Sequence, residues 1–219
     1  RARRPRGERG SGVSDAPDMG RALSALSIDP AGLGGLVLRA RAGPARAAFE
    51  AALARLPRQA RRIHPDTSDA VLFGGLDVAA SLASGRQVRS AGLDASPCRL
   101  VLPMAERTQA GLAARLGQLL DAGRGHSLIA LDEGAEPDEA APPALAERLA
   151  FHIDLTETRA SDVEIALPAP ADLDTARIAL ARTALPEGAA TTLTALAARF
   201  GIDSLRAPLM ALRAARALA

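Results

Sequence analysis

The segment Leu36-Val37-Leu38-Arg39-Ala40-Arg41-Ala42-Gly43-Pro44-Ala45-Arg46-Ala47-Ala48-Phe49 decides the fold. It begins with a continuous apolar run, which is typical of a strand buried on both faces of a parallel sheet. After a short loop, apolar residues recur at helical spacing from Phe49 until Pro57. This strand-loop-helix unit predicts the first unit of a parallel sheet covered by helices.

The loop of this unit lies where a phosphate-binding loop would lie, but it lacks the residues of one. In the motif Gly-x-x-x-x-Gly-Lys-[Ser/Thr], backbone N–H groups cradle the phosphates, the lysine neutralises their charge and the hydroxyl binds Mg²⁺. Here the four defined positions hold Arg39, Pro44, Ala45 and Arg46, and the chain contains no lysine. Pro44 also removes one N–H donor from the cradle.

We therefore expect this loop to bind nucleotide weakly or not at all. Its arginines keep some attraction for phosphate, because a guanidinium fork matches phosphate geometry. GC-rich coding explains the abundance of arginine and alanine, but it does not explain the missing glycines. The residues of this degenerate nucleotide site are Arg39, Arg41, Gly43, Pro44, Ala45 and Arg46.

Composition favours a helix-rich α/β protein. The chain has 219 residues, of which 48% are apolar and only 2% aromatic, so Leu, Ala, Val and Ile must fill the core. The formal charge of +2 and the interleaving of arginines with acids do not indicate nucleic-acid binding. We expect a cytoplasmic protein without a transmembrane segment, since Cys98 is the only cysteine and no apolar run is long enough to cross a bilayer.

Three regions are expected along the chain. Residues 1–19 carry almost no large apolar side chain and are predicted to be a disordered tail or an expression remnant. Residues 20–160 alternate strands with helices and form the α/β core, whereas residues 161–219 form a small all-helical lid. The predicted strands are 35–38, 100–102, 127–131 and 151–155, and the predicted helices are 21–27, 45–56, 78–84, 109–120, 143–149, 173–184, 191–200 and 204–218, with a loop over 61–77.

Four segments of the chain carry a resemblance to a known family. They are Asp29-Pro30 with Gly34 to Leu38, His64-Pro65 with Leu72 to Asp77, Pro143 to Phe151, and Ser204-Leu205-Arg206 with Arg213 to Ala217. With these segments the chain resembles the AAA+ ATPase module, and within it the D subunits of magnesium chelatase, the complex that inserts Mg²⁺ into protoporphyrin IX in bacteriochlorophyll synthesis. The D subunits of some purple bacteria likewise have degenerate ATPase motifs.

The resemblance implies that this chain does not hydrolyse ATP by itself. An active module ends a later strand with Asp-Glu, which binds Mg²⁺ and polarises the attacking water. Here the strand Leu100–Leu102 is followed by Pro103-Met104. The family's arginine finger, which acts on the nucleotide of a neighbouring subunit, corresponds to Arg148, and its lid arginine corresponds to Arg206.

The resemblance also implies partners: an ATPase I subunit ring, for which this chain would be a platform and coupling element, an H subunit carrying the porphyrin, and self-association in a hexameric ring. ATP and Mg²⁺ would serve the complex and be bound mainly by the partner. Two alternatives stay open: an active MoxR-like AAA+ ATPase, and a degenerate scaffold unrelated to tetrapyrroles. No metal site is expected, because His64, His126, His152 and Cys98 do not form ligand spacing.

Overall fold

The computed structural model describes residues 16–136, 138–159, 163 and 165–219. Ten α-helices and seven strands lie within these ranges. The strands are β1 Gly35–Arg39, β2 Ala60–Arg62, β3 Gly75–Leu76, β4 Arg89–Ser90, β5 Arg99–Leu102, β6 Ser127–Asp132 and β7 Phe151–Asp154. The helices are α1 Ala16–Ile28, α2 Pro30–Leu33, α3 Pro44–Ala54, α4 Asp69–Phe73, α5 Val78–Ser84, α6 Ala110–Asp121, α7 Pro143–Ala146, α8 Pro170–Leu180, α9 Ala189–Arg199 and α10 Arg206–Leu218.

Five of the strands form one parallel sheet in the order β2-β5-β6-β1-β7. The strand β6 and the first four residues of β1 are buried, as the continuous apolar runs in their sequences predict. The strand β1 lies between β6 and β7, which both come much later in the chain. The sheet therefore changes winding direction at β1.

Helices cover both faces of this sheet. Leu36 and Leu38 pack on one face with α1, α3 and α8, whereas Val37 packs on the other face with α6 and α7. This division follows from the alternation of side chains along a strand. The predicted α/β architecture is confirmed, and the two apolar clusters lie on opposite sides of the sheet.

The first described helix begins earlier than the sequence predicts. The helix α1 starts at Ala16, and the side chain of Met19 is fully buried in the cluster around β1. Residues 16–19 therefore belong to α1, although they were expected in a disordered tail. The rest of that predicted tail, residues 1–15, lies outside the described residues.

The region between β2 and β5 contains more structure than the predicted loop. Residues 61–77 were expected to be a loop, but they include the end of β2, α4 and β3. The strand β3 pairs antiparallel with β4 and forms a small second sheet next to α5. The helix α5 has the predicted bounds and ends at Gly85, which adopts a left-handed conformation with φ of 65°.

The C-terminal helices α8, α9 and α10, here called the lid, match the predicted helical region. The helices α8 and α10 pack against α1 and α2 of the core, with Leu173 of α8 at 1% exposure and Ala217 of α10 at 7%, whereas α9 packs against α10. Arg213 of α10 donates from Nη1 to the carbonyl oxygen of Gly32 at 2.7 Å, and Arg177 of α8 donates from Nε to that of Ser27 at 2.6 Å. The predicted domain boundary at 160/161 lies outside the described residues.

Candidate functional site

The carboxyl ends of β1, β6 and β7 meet at one edge of the sheet. Arg39, the last residue of β1, is in register with Asp132 of β6 and Asp154 of β7. In open α/β sheets, ligands bind outside the carboxyl ends of the strands where the winding direction changes. The loop after β1 is thus at the position in which this fold binds ligands.

The loop itself is short and lacks a complete phosphate cradle. Four residues, 40–43, connect β1 to α3, and Pro44 is the first residue of that helix. Proline is well suited to this helical position, because its fixed φ matches the helix and the N–H it lacks has no intrahelical partner there. In a phosphate cradle the same N–H would point at the ligand. The local fold is therefore sound, but the loop has one donor fewer.

Arg39 is used inside the protein. Its Nη2 donates to the carbonyl oxygens of Gly134 at 3.0 Å and of Glu136 at 2.7 Å, so it holds the acidic loop that follows β6. A cleft of about 610 Å³ lies beside it and is lined by Arg39, Arg41, Gly134, Ala135, Asp154, Thr156 and Glu157. Two carboxylates share this cleft with the two arginines, which weakens its attraction for a polyphosphate.

Arg46 occupies the position of the Mg²⁺-binding hydroxyl, and its side chain is committed to glutamates. The residue is 7% exposed, its Nε donates to Glu50 at 2.9 Å, and its Nη1 donates to Glu133. Burial lowers the pKa of Arg46, but the hydrogen bonds from Arg46 to Glu133 and Glu50 raise it by more, so the net pKa lies above the ordinary value. A contact between Arg46 and a nucleotide stays a prediction. To make this contact, the Arg46 side chain would have to leave both glutamates.

The carboxylates near this edge serve internal contacts. Asp132 is 2% exposed and accepts hydrogen bonds from the backbone N–H groups of Gly134 and Ala141, each at 2.9 Å. Glu106 follows Pro103-Met104 after β5, and its Oε2 accepts from the N–H of Glu133 at 3.0 Å. Sequence analysis missed Glu106 and Glu133, since neither lies in a recognisable spacing. Both acids close loops at the edge of the sheet.

Arg148, predicted to act on a neighbouring subunit, and Arg206, the predicted lid arginine, lie together in this structure. Arg148 follows α7, and its Nε and Nη2 lie 2.9 and 2.8 Å from Oδ2 of Asp121. Arg206 begins α10, and its Nη1 donates to Oδ1 of Asp121 at 3.1 Å. Sequence analysis missed Asp121, although a carboxylate at the last position of a helix is an unfavourable placement that indicates a nearby cation.

The residues of the β1 edge do not fit ATP with Mg²⁺. The lysine, the hydroxyl and the Asp-Glu pair of the working motifs are replaced by Ala45, Arg46 and Pro103-Met104, and Arg46 is paired with two glutamates. Within the described ranges, no group of three or more His, Cys, Asp or Glu side chains is arranged to hold a metal ion. No helix among those residues is long and apolar enough to cross a membrane.

Two curated proteins are similar to most of this chain, and no protein-family model matches it. The chain is 56% identical over 203 residues to the magnesium-chelatase 60 kDa subunit of Cereibacter sphaeroides, and 49% identical over 199 residues to that of Rhodobacter capsulatus. Each comparison covers 90% of this chain but 35% of the relative, so the chain spans about a third of the length of these relatives. They support the predicted resemblance to magnesium chelatase.

Two solved structures support the fold. A candidate ATPase from Cytophaga hutchinsonii superimposes with a TM-score of 0.61 at 16% identity, covering 91% of this chain and 76% of that one. An MCM homologue from Methanopyrus kandleri gives a TM-score of 0.63 at 14% identity, covering 91% of this chain and 48% of the other. The predicted AAA+ fold, a parallel sheet flanked by helices and followed by a helical lid, is confirmed.

Proposed function

We propose that this chain is the non-hydrolysing AAA+ module of a magnesium chelatase and acts as a platform and coupling element for the complex's ATPase I subunit. The identity of 56% over 90% of the chain to a magnesium-chelatase subunit carries this proposal. The complex would insert Mg²⁺ into protoporphyrin IX for bacteriochlorophyll synthesis. Its further partners would be an H subunit that carries the porphyrin and further copies of this chain in a hexameric ring in the cytoplasm.

The altered loop supports a role without hydrolysis. ATP and Mg²⁺ would be bound mainly by the I subunit, because the β1 edge of this chain lacks the lysine, and Arg39 and Arg46 are engaged by internal contacts. An active MoxR-like ATPase would need the residues that Ala45 and Met104 replace. Both similar proteins are magnesium-chelatase subunits, so neither supports a scaffold unrelated to tetrapyrroles.

Arg148 is the residue through which the chain would contribute to the partner's reaction. Its side chain is 24% exposed and lies beside Arg206, which is 38% exposed, so both guanidinium groups reach the surface. An arginine supplied to a neighbour's nucleotide stabilises the charge of the transition state and accelerates hydrolysis by about 10³ or more.

The test mixes this chain with a magnesium-chelatase I subunit, with and without Mg-ATP, and measures mass by light scattering and phosphate release by each protein alone. We expect a large assembly in which only the partner hydrolyses ATP. Phosphate release by this chain alone, or the absence of any assembly, would overturn the proposal.

One substitution refines this test. Arg148→Ala should lower ATP turnover of the mixed assembly by at least about tenfold while the circular dichroism spectrum stays unchanged. Arg182→Ala, which removes an exposed arginine of the loop after α8, is the matched control and should leave turnover intact. Equal turnover in the two variants would remove Arg148 from the proposed mechanism.

A further inference from the structure

Asp121 lies between two arginines that come from different parts of the chain. Arg148 approaches from the loop after α7, and Arg206 approaches from the first turn of α10 in the lid. Arg206 reaches both carboxylate oxygens, with Nη1 at 3.1 Å from Oδ1 and Nη2 at 3.4 Å from Oδ2, while Arg148 reaches Oδ2 from its own side at 2.8 Å. The carboxylate is thus bracketed by two guanidinium groups.

The position of Asp121 in its helix makes it dependent on these arginines. It is the last residue of α6, where the exposed carbonyl groups disfavour a negative charge. Partial burial also raises the pKa of Asp121, yet the hydrogen bonds from Arg148 and Arg206 outweigh burial and hold the pKa below its ordinary value. The arginines, and not the helix terminus, stabilise the negative charge of this carboxylate.

The surface of α6 is shaped to receive Arg148. Gly117, one turn before Asp121, leaves room for the arginine side chain, because a Cβ built at Gly117 would lie 3.0 Å from its Nε. Arg148 also donates from Nη1 to the carbonyl oxygen of Ala144. The guanidinium group of Arg148 is therefore held by contacts with Asp121, Ala144 and Gly117, and its side chain is 24% exposed.

A phosphate group would satisfy the same two arginines. Guanidinium forks bind carboxylate and phosphate in the same planar, charge-assisted manner, and phosphate offers more oxygens and more negative charge. In the proposed function Arg148 acts on a neighbouring subunit's nucleotide, and we propose that Asp121 occupies Arg148 and the adjoining Arg206 in the free chain, as an internal competitor that a phosphate group displaces. The choice of a nucleotide phosphate rests on the proposed function, whereas the ion pairs of Asp121 with the two arginines are seen in the structure.

Displacement would also exchange one contact between core and lid for another. Asp121 belongs to the core and Arg206 to the lid, so their ion pair ties α10 to α6. Phosphate bound to both arginines would take over this link. Binding at the site would thereby change the contacts of α10 in the lid, which is the kind of response a coupling element needs.

The first test uses this chain alone, with tripolyphosphate as the probe and calorimetry as the measurement. Asp121→Asn keeps the shape of the side chain but removes the competing charge, and it should bind tripolyphosphate about tenfold or more tightly than the wild type, since like charges a few ångströms apart repel strongly near a protein surface. Asp121→Ala should also bind tripolyphosphate more tightly than the wild type, and it replaces Asp121→Asn in the test if that variant folds poorly.

Asp69→Asn is the matched control. Asp69 of α4 pairs with Arg115, the arginine of α6, so this variant removes the same charge from a different ion pair at α6 without touching the site. It should bind the probe no better than the wild type. The triple variant D121N/R148A/R206A should lose the gain. An unchanged affinity in both Asp121 variants, or a gain that survives removal of the two arginines, would overturn the proposal.

The outcome is separable from that of the proposed function. If Asp121→Asn gains affinity for tripolyphosphate but no assembly forms with a chelatase I subunit, the phosphate site stands and the choice of partner is wrong. If assembly forms and the Asp121 variants bind tripolyphosphate like the wild type, the platform role stands and the internal competitor is removed.

Discussion

At the scale of single residues, the surroundings of each arginine decide its role. Arg39 donates to two backbone carbonyl groups, Arg46 is buried between two glutamates, and Arg41 is exposed at the loop between them. These three residues lie within eight positions of one another, yet only Arg41 is free to meet a ligand without breaking contacts shown in the structure. A count of positive charges in the loop thus overstates its capacity to bind phosphate.

The ion pairs of Arg46 predict how the stability of the fold depends on pH. Burial raises the pKa of Glu50, but hydrogen bonds from Arg46 and Arg62 lower it by more, so Glu50 is held below its ordinary pKa. A carboxylate with a lowered pKa stabilises the fold above its unfolded value of about 4.3, and the gain is lost as the pH falls through the folded value. Arg46→Met should lower the free energy of unfolding by about 2 kcal/mol at pH 7 and by less near pH 3.

Urea denaturation followed by circular dichroism measures both values. Arg41→Met is the control, since it removes an exposed arginine of the loop that leads into α3, and it should change stability by less than about 0.5 kcal/mol. A loss for Arg46→Met that is the same at pH 3 as at pH 7 would show that packing of the aliphatic stem, and not the ion pairs, supports the end of β6.

At the scale of elements, hydrophobic pattern finds the buried strands and helices and misses the exposed edge strand β2. The strands β1 and β6 and the helix α6 were found within two residues of their bounds, because the two strands are continuous apolar runs and the buried side chains of α6 repeat at the period of a helix. The strand β2 has three exposed residues and lies at the edge of the sheet, so nothing in its composition marks it as a strand. The helix α7 ends before its predicted last residue, since the chain turns there toward β7.

The connection from α2 to β1 depends on a glycine that also contacts the segment of Arg148. Gly34 has φ of 67°, and a Cβ there would lie 2.1 Å from the carbonyl oxygen of Arg148. Gly34→Ala should therefore lower the free energy of unfolding by about 3 kcal/mol or more. Gly85 after α5 has φ of 65° but no atom within 4 Å of a built Cβ, so Gly85→Ala carries the backbone penalty alone, about 1 kcal/mol.

Thermal and urea denaturation of the two glycine variants compare a crowded position with an open one at nearly equal φ, where ψ is −41° at Gly34 and 14° at Gly85. Equal losses would mean that neither the backbone of Gly34 nor its contact with the Arg148 carbonyl oxygen adds a cost. A larger loss for Gly34→Ala is the expected result, and it would show that this position does not tolerate a Cβ.

At the scale of the whole molecule, the lid and the core share one apolar cluster. Leu173 of α8 and Ala217 of α10 lie in the same cluster as Met19 of α1 and Leu36 of β1. The sequence predicted both parts from their periodicity, but it could not predict that Arg148 of the core and Arg206 of the lid meet at Asp121. That meeting depends on how the lid packs on α1 and α2, which is a tertiary property with no local pattern.

This shared cluster predicts that lid and core unfold together. Leu173→Ala removes a side chain that is 1% exposed and should lower the free energy of unfolding by about 2–4 kcal/mol, whereas Ile178→Ala on the same helix, 72% exposed, should change it by less than about 0.5 kcal/mol. The chain has no Trp or Tyr, so circular dichroism and hydrogen exchange are the suitable probes. In Leu173→Ala, exchange should accelerate in α6 and β6 of the core as much as in α8 and α10. Faster exchange confined to the lid would mean that the lid opens as a separate unit. The Arg206–Asp121 ion pair would then break while hydrogen exchange in the core stays unchanged.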